Sequence, residues 1–201
     1  MVPHVEELTS GPPREVAAEN AYRKAVSVLG ERTAGLRERV ASGRGEQTAS
    51  AKGQAPGALI LGVDTLVCLG SRIYGKPADQ EDARATLRAL AGRRHAVVSG
   101  LCLIDVARAD GGGSSGGGGR GGGGGRPRTS VAMTLVGFRA LDEALIEWYL
   151  NTGEWRERAG GYAIQGAGAA LIAGIEGDYT GVVGLPVATL LELAPGLLGV
   201  P

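Results

Sequence analysis

The chain has 201 residues, and its 21 lysines and arginines balance 21 aspartates and glutamates. The length favours a single domain, and a hydrophobic content of 43% excludes wholesale disorder. The balanced charge argues against a protein that coats a nucleic acid polymer, because such a protein carries a basic excess.

The sequence shows neither a membrane span nor an export signal. No run of about 18 apolar residues occurs, so no membrane span is expected. The first residues lack the basic and then apolar pattern of a signal peptide. A cytoplasmic protein is therefore expected.

Two polar stretches are predicted to lie outside the core of one domain that spans residues 1–201. Residues 111–125 are glycine apart from two serines and one arginine, so the segment 107–128 is predicted to be a disordered loop. Residues 31–57 are short of apolar runs and are predicted to be a flexible insertion. Leu36 and Val40 lie four residues apart there, a spacing that leaves room for one short exposed helix.

The rest of the chain alternates helix and strand. Apolar residues at helical spacing predict a helix over residues 16–29, and a near-continuous apolar run predicts a buried strand over residues 58–69. Asp79 and Asp142 each suit the N-cap of a further helix. Further strands are predicted over residues 95–105, 131–138, 161–164 and 169–175, and a last helix over residues 187–193. The pattern indicates an α/β fold with a mixed sheet and flanking helices.

Asp64 is the one charged residue in the apolar run over residues 58–69. A carboxylate in such a place is costly unless a partner compensates its charge. One interpretation is a structural aspartate bonded to backbone amides or to Thr65. The other is a metal ligand or general base that faces a cleft. The residues alone leave both interpretations open.

A few other residues could belong to a site. Lys76 lies in a Gly-Lys-Pro turn, where it is either solvated or placed to hold a phosphate. Gln165 ends a glycine-rich segment and either contacts a base or a metal, or belongs to a strand junction without a ligand. His95 begins a predicted strand, a position more typical of a surface or capping residue. Cys68 and Cys102 lie in apolar runs without metal-ligand spacing, which argues against a disulfide scaffold or a zinc site.

Short motifs occur along the chain in a family-specific order. They are VDTLV at residues 63–67, GKP at 75–77, an LxxLxGRxHxV-like run at 87–97, TGE at 152–154, ERAGGYAIQG at 157–166 and IEGDYTGVVGLP at 175–186. Together they resemble the Maf family of nucleoside triphosphate pyrophosphatases over nearly the whole core. The AGxYxIQG form is similar to the subgroup that hydrolyses dTTP and UTP.

The resemblance implies a two-lobed fold, like that of inosine triphosphatases, with the nucleotide in the cleft. It implies hydrolysis of dTTP, UTP or a modified pyrimidine nucleotide to the nucleoside monophosphate and pyrophosphate, with Mg²⁺ or Mn²⁺ as cofactor. Family members are often homodimers, so a homodimer is a further expectation. By the motifs, Asp64 is the catalytic aspartate and a metal ligand, and Glu6 is a second carboxylate near the metal. The implied substrate-binding residues are Lys24, Lys76, Arg158 and Gln165.

The chain departs from the family pattern in three places. Family members open with a strand and an SxSPRR loop, which resembles a phosphate clamp; nothing before Glu7 matches it, so the first strand is expected to be missing. Arg158 replaces the lysine of the family's DKAG motif, and Leu135 replaces a polar residue of its TxVxF strand. Two alternatives follow from these departures. One is a non-catalytic protein that binds a nucleotide or regulates division, and the other is a true start upstream of Met1.

Overall fold

A five-stranded sheet organises the fold in the computed structural model, which describes residues 5–41, 59–106 and 126–199. The strands are β1 (Leu59–Leu69), β2 (Arg72–Tyr74), β3 (Arg94–Asp105), β4 (Arg128–Phe138) and β5 (Ile172–Glu176). Their order across the sheet is β2-β1-β3-β4-β5, and every neighbouring pair is antiparallel. The predicted α/β class is confirmed, but the sheet is antiparallel where a mixed sheet was expected.

The apolar run of β1 predicts a buried strand but does not show whether its neighbours are parallel or antiparallel. A central strand that is covered on both faces reads as apolar in either kind of sheet. β1 pairs with β3 from Leu59 opposite Asp105 to Cys68 opposite Ala96. The three-residue strand β2 pairs only with the end of β1, from Val67 to Leu69. In the described part of the chain, the stretch of β1 that holds Asp64 therefore lies at an open edge.

Helices cover both faces of the sheet. They are α1 (Pro13–Ala41), α2 (Gln80–Leu90), α3 (Glu143–Thr152), α4 (Tyr179–Val183) and α5 (Val187–Leu193). Helix α1 packs on the face that carries Leu66, Cys68 and Val98. The larger core, on the other face, joins Val67 and Val97 to α2 and α3. No helix within the described ranges is long and apolar enough to cross a bilayer.

Two glycines allow α1 to lie directly against the sheet. A Cβ atom at Gly62 of β1 would lie 2.1 Å from the carbonyl oxygen of Ala21, and one at Gly100 of β3 would lie 2.1 Å from that of Ala17. Both alanines are fully buried. The close approach fixes the height of α1 above β1, so the side chains of Asn20 and Lys24 on the same helix can reach Asp64.

Most predicted helix signals agree with the structure. Asp79 and Asp142 are N-caps, since their carboxylates accept hydrogen bonds from the backbone N–H groups of Asp82 and Leu145, both at 2.8 Å. Helix α5 spans the predicted residues 187–193. Helix α1 is longer than predicted and includes the backbone of residues 31–41.

The two predicted insertions overlap the described chain only at their ends. Since residues 31–41 continue α1, the flexible insertion stays a prediction for residues 42–57, which lie outside the described residues. Residues 107–125 of the glycine-rich loop also lie outside them. Arg128, the last residue of that predicted loop, is already the first residue of β4.

Two strand predictions near the C-terminus were wrong. Residues 161–164 form no strand, because Gly160 and Gly161 adopt positive φ angles of 71° and 66° in a 3₁₀ turn. Of the strand predicted over residues 169–175, the first part is a second 3₁₀ turn, Gly166–Leu171, and only the rest is β5. The short strand β2 was not predicted, since three residues carry too little periodicity.

Candidate active site

A cleft of about 530 Å³ lies at the open edge of β1. It gathers residues from α1, β1, the turn after β2 and the glycine-rich segment after α3. The predicted site residues that line it are Lys24, Asp64, Lys76, Arg158 and Gln165. The structure thus brings together residues that lie far apart in the sequence, while their catalytic and binding roles remain predictions.

Asp64 lies at the inner end of this cleft, where only 5% of its surface is exposed. Lys24 Nζ donates to its Oδ1 at 2.6 Å, and Asn20 Nδ2 donates to its Oδ2 at 3.0 Å. Both donors come from α1, and the sequence alone identifies neither as a partner of Asp64. Thr65, the side-chain partner that the sequence suggests, instead pairs its Oγ1 with Ser99 Oγ at 3.1 Å. The buried charge of Asp64 is therefore compensated mainly by a cation and an amide.

Lys24 joins Asp64 to a second carboxylate. Its Nζ lies 2.7 Å from Oε1 of Glu7 as well as 2.6 Å from Asp64. Burial lowers the pKa of Lys24, but hydrogen bonds and charge from Asp64 and Glu7 outweigh that effect and raise the pKa above its ordinary value. The ammonium group therefore stays charged at neutral pH.

Glu7, and not Glu6, is the glutamate that lines the cleft. The family resemblance predicts Glu6 at this place, one residue earlier in the chain. The backbone carbonyl of Glu6 instead accepts a hydrogen bond from Arg23 at 3.4 Å, and its side chain is exposed. In a segment without regular structure, periodicity cannot show which of two adjacent glutamates faces the cleft. The contact with Lys24 shows that it is Glu7.

The opposite side of the cleft joins the Gly-Lys-Pro turn to the ERAGGY segment. The N–H of Gly160 donates to the carbonyl of Gly75 at 2.9 Å, and Lys76 Nζ lies 3.1 Å from Oε2 of Glu157. A Cβ atom at Gly160 would lie 2.8 Å from the side chain of Val67, so only glycine permits this packing. The contact places the cationic side chains of Lys76 and Arg158 on the same rim.

Glu154 fixes the turn that follows Gln165. Its carboxylate accepts hydrogen bonds from the backbone N–H groups of Ala167 at 3.1 Å and Gly168 at 3.2 Å. Gly166 has a φ of 72°, and a Cβ there would lie 2.7 Å from the same carboxylate. In the sequence Glu154 is only the last residue of the TGE motif, because the partners of its carboxylate lie more than ten residues away. Glu154 therefore orients the loop that presents Gln165.

An aromatic group supports the cleft from behind. Tyr162 lines the cleft, and its hydroxyl lies 2.8 Å from Nε2 of His95, a residue that is 2% exposed and packs edge-on against Phe138. The expectation of a surface or capping histidine was wrong, because β3 begins beneath the glycine-rich segment. Burial lowers the pKa of His95 to about 4 and raises that of Tyr162, so both side chains are neutral at pH 7.

The acidic groups of the cleft fit a metal that arrives with a ligand. No cluster of three or more histidine, cysteine, aspartate or glutamate side chains suited to a metal occurs within the residues described. Asp64 and Glu7, however, both reach the ammonium of Lys24. Since Mg²⁺ commonly binds one or two carboxylates together with substrate phosphates, this pair suits a metal shared with a polyphosphate.

The chemistry available in the cleft follows from this arrangement. Lys24, Lys76 and Arg158 provide positive charge for several phosphate groups. Asp64 provides a buried carboxylate with fixed orientation, which can orient a water molecule. Apolar groups such as Val182 and Ile164 offer contacts to an uncharged part of the same ligand.

Comparison with known proteins identifies relatives. The model of a family described as Maf-like protein matches residues 1–196. A dTTP/UTP pyrophosphatase of Pyrococcus furiosus is 43% identical over 134 residues, which are 67% of this chain and 61% of that protein. Proteins of the same name from Pelotomaculum thermopropionicum and Deinococcus radiodurans are 40% and 39% identical, over 74% and 71% of this chain and 70% and 64% of their own lengths.

Proposed function

The chain belongs to the Maf family, and we propose that it hydrolyses nucleoside triphosphates of the dTTP and UTP type. The proposed products are the nucleoside monophosphate and pyrophosphate. The observation that carries the proposal is the position of Asp64: it is buried, its two oxygens are held by Lys24 and Asn20, and it faces a cleft with further cationic groups. The relatives' names supply the nucleotide class.

In this proposal, the cationic side chains bind the triphosphate. Lys76 and Arg158 lie on an exposed rim, where they can meet an incoming polyanion. Lys76 would exchange its contact with Glu157 for a phosphate oxygen, an inexpensive exchange because that ion pair is largely exposed. Lys24 lies deeper and would stabilise charge that develops as the bond between the phosphates breaks.

The chemical step would use Asp64. Its carboxylate orients a water molecule toward the α-phosphorus and takes up a proton as the new P–O bond forms. The bond from the α-phosphorus to the oxygen that bridges to the β-phosphorus breaks, and pyrophosphate leaves with that oxygen. The hydrogen bond from Asn20 keeps the carboxylate from turning away.

A divalent metal is part of the proposal. Asp64 and Glu7 are the residues that would hold Mg²⁺ or Mn²⁺, and the metal would offset phosphate charge when bound. Lys24 must then release one of the two carboxylates. Gln165 and the apolar groups near Val182 would contact the sugar or base of the nucleotide.

Product identification tests the proposed function. We would incubate the chain with UTP, dTTP, CTP, ATP or GTP and Mg²⁺ or Mn²⁺, and resolve the phosphorus-containing products by ³¹P NMR. The proposal predicts pyrophosphate and monophosphate from UTP and dTTP, with less product from the purine nucleotides. Release of inorganic phosphate and a diphosphate would contradict the proposed bond cleavage. A folded chain that releases neither product would contradict the proposed activity.

A further inference from the structure

Asn20 connects the segment before α1 to Asp64 in β1. Its side chain is 0% exposed. The Oδ1 atom accepts a hydrogen bond from the N–H of Leu8 at 2.8 Å. The Nδ2 group donates to the carbonyl of Leu8 at 3.1 Å and to Oδ2 of Asp64 at 3.0 Å. Asn20 thus ties the segment before α1 to the buried carboxylate in β1.

The chemistry of these contacts requires a side-chain amide. The N–H of Leu8 needs an acceptor, which fixes the amide with Oδ1 toward Leu8 and Nδ2 toward Asp64. The two hydrogens of Nδ2 then serve the Leu8 carbonyl and the Asp64 carboxylate. An aspartate at this position would keep the acceptor but lose the donor. A leucine would have similar bulk and make none of the three hydrogen bonds.

The position of Asn20 on α1 completes the arrangement. Asn20 and Lys24 lie four residues apart, on one face of the helix. Each contacts one oxygen of Asp64, and each also holds the preceding segment, Asn20 through Leu8 and Lys24 through Glu7. The two helical residues therefore fix the separation and orientation of the carboxylates of Glu7 and Asp64.

We propose that Asn20 is a positioning residue: it holds Asp64 and the segment that carries Glu7 so that both carboxylates face one point in the cleft. The expected effect of Asn20 on turnover rests on the proposed hydrolysis. The expected effect of Asn20 on metal binding does not. Asn20 itself touches neither water nor substrate, because it is fully buried behind Asp64.

Two variants test the contacts of Asn20. Asn20→Leu removes all three hydrogen bonds. Asn20→Asp keeps the acceptor for the N–H of Leu8 but removes both hydrogen bonds from Nδ2 and places a second carboxylate beside Asp64. Loss of a hydrogen bond that orients a ligating carboxylate typically costs about 10- to 100-fold in activity or metal affinity. We expect both variants to lower kcat for UTP by about that factor, with a much smaller change in KM.

A matched control accounts for lost stability. Ile104 is 1% exposed and packs in the same layer between α1 and the sheet, away from Asp64. Ile104→Ala should destabilise the fold yet keep kcat within about twofold, since it leaves the carboxylates in place. A double variant, Asn20→Asp with Asp64→Asn, should be no slower than Asp64→Asn alone, because Asn20 acts through Asp64.

Binding of Mn²⁺ alone, followed by the EPR signal of the free ion, is the second readout. We expect both Asn20 variants to bind Mn²⁺ about tenfold more weakly than the parent chain, and Ile104→Ala to bind it as the parent does. If Asn20→Asp keeps the parent kcat and Mn²⁺ affinity, the inference is wrong. If the parent chain shows no turnover but Mn²⁺ binding still depends on Asn20, the inference stands and the proposed function fails.

Discussion

Lys24 Nζ lies 2.6 Å from Oδ1 of Asp64, although 40 residues separate them in the chain. The lysine reaches across from α1 to a strand that passes beneath it, and 28% of its side chain remains exposed. Asp64 is almost fully buried. The pair therefore joins a cation that can still meet a ligand from solvent to a carboxylate that cannot turn away.

Replacement of Lys24 by methionine should impair both turnover and stability. The variant keeps the length of the side chain but leaves the buried charge of Asp64 with only Asn20 as a named partner. We expect kcat/KM for UTP to fall by at least about 100-fold and the free energy of unfolding by about 1–3 kcal/mol. Pyrophosphate release and urea denaturation measure the two effects.

Arg23→Met provides the control for Lys24→Met. Arg23 is the neighbouring residue on α1, and its ion pair with Glu19 is surface-exposed. Exposed pairs of this kind contribute about 0.5 kcal/mol or less. Arg23→Met should therefore keep nearly the parent turnover and stability. Equal losses in the two variants would show that turnover and stability depend on the total charge of α1 and not on the contact between Lys24 and Asp64.

Glu154→Ala should lower kcat/KM for UTP by about tenfold, through the loop that carries Gln165. The variant removes the acceptor for the N–H groups of Ala167 and Gly168, and hydrogen bonds to a charged group contribute about 1.5–3 kcal/mol each. We expect a higher KM for UTP, because Gln165 would no longer be held toward the cleft. The exposed Glu192→Ala in α5 is the control. A KM that matches the parent's in the Glu154 variant would argue against this role.

Gly100→Ala should destabilise the whole molecule. The added Cβ would lie 2.1 Å from the carbonyl oxygen of Ala17, and backbone atoms cannot yield as a flexible side chain does. We expect a loss of about 3 kcal/mol in the free energy of unfolding. Gly174→Ala in β5 is the matched control, because an added Cβ there meets no atom within 4 Å. Similar stability in both variants would contradict the close packing of α1 on the sheet.

His95 should make the fold sensitive to mild acid. Burial lowers its pKa from an ordinary 6.5 to about 4, so between these values the unfolded chain binds a proton that the folded chain does not. The contribution of His95 to stability is complete above pH 6.5 and declines as the pH falls toward 4. One pKa unit corresponds to about 1.4 kcal/mol, so the loss between pH 7.5 and 4.5 is about 2–3 kcal/mol.

His95→Gln isolates this contribution, since glutamine can still bond the hydroxyl of Tyr162 but does not titrate. Urea denaturation at pH 7.5 and 4.5 should show a smaller acid-induced loss in His95→Gln than in the parent. Phe138→Leu destabilises the same aromatic group and should keep the parent's acid sensitivity. An unchanged pH dependence in His95→Gln would mean that other groups cause it.

Local signals in the sequence predicted the elements that depend on local rules. Asp79 and Asp142 were identified as helix caps because an N-cap needs only an acceptor and nearby N–H groups. The strand with Asp64 was identified by its apolar run. The segment 161–164 was misassigned because the positive φ angles of Gly160 and Gly161 are set by packing against Val67 and Pro77, which are distant in sequence.

The candidate site shows the same limit. Motif order identified Asp64, Lys76 and Gln165, which do line one cleft. Asn20 carries no motif signal, because its partners are a backbone segment 12 residues before it and a side chain 44 residues after it. Whether Glu6 or Glu7 faces the cleft likewise depends on Lys24, and no property of the two adjacent glutamates differs in the sequence.

Pyrophosphate release from UTP by Asp64→Asn is the most direct test of the central claim that the Asp64 cleft is the hydrolytic site. Asparagine keeps the shape of the side chain and removes its charge. We predict that kcat falls by between about 100- and 10,000-fold, while the exposed helix cap variant Asp142→Asn keeps the parent rate. A folded Asp64→Asn chain that releases pyrophosphate at the parent rate would contradict the claim.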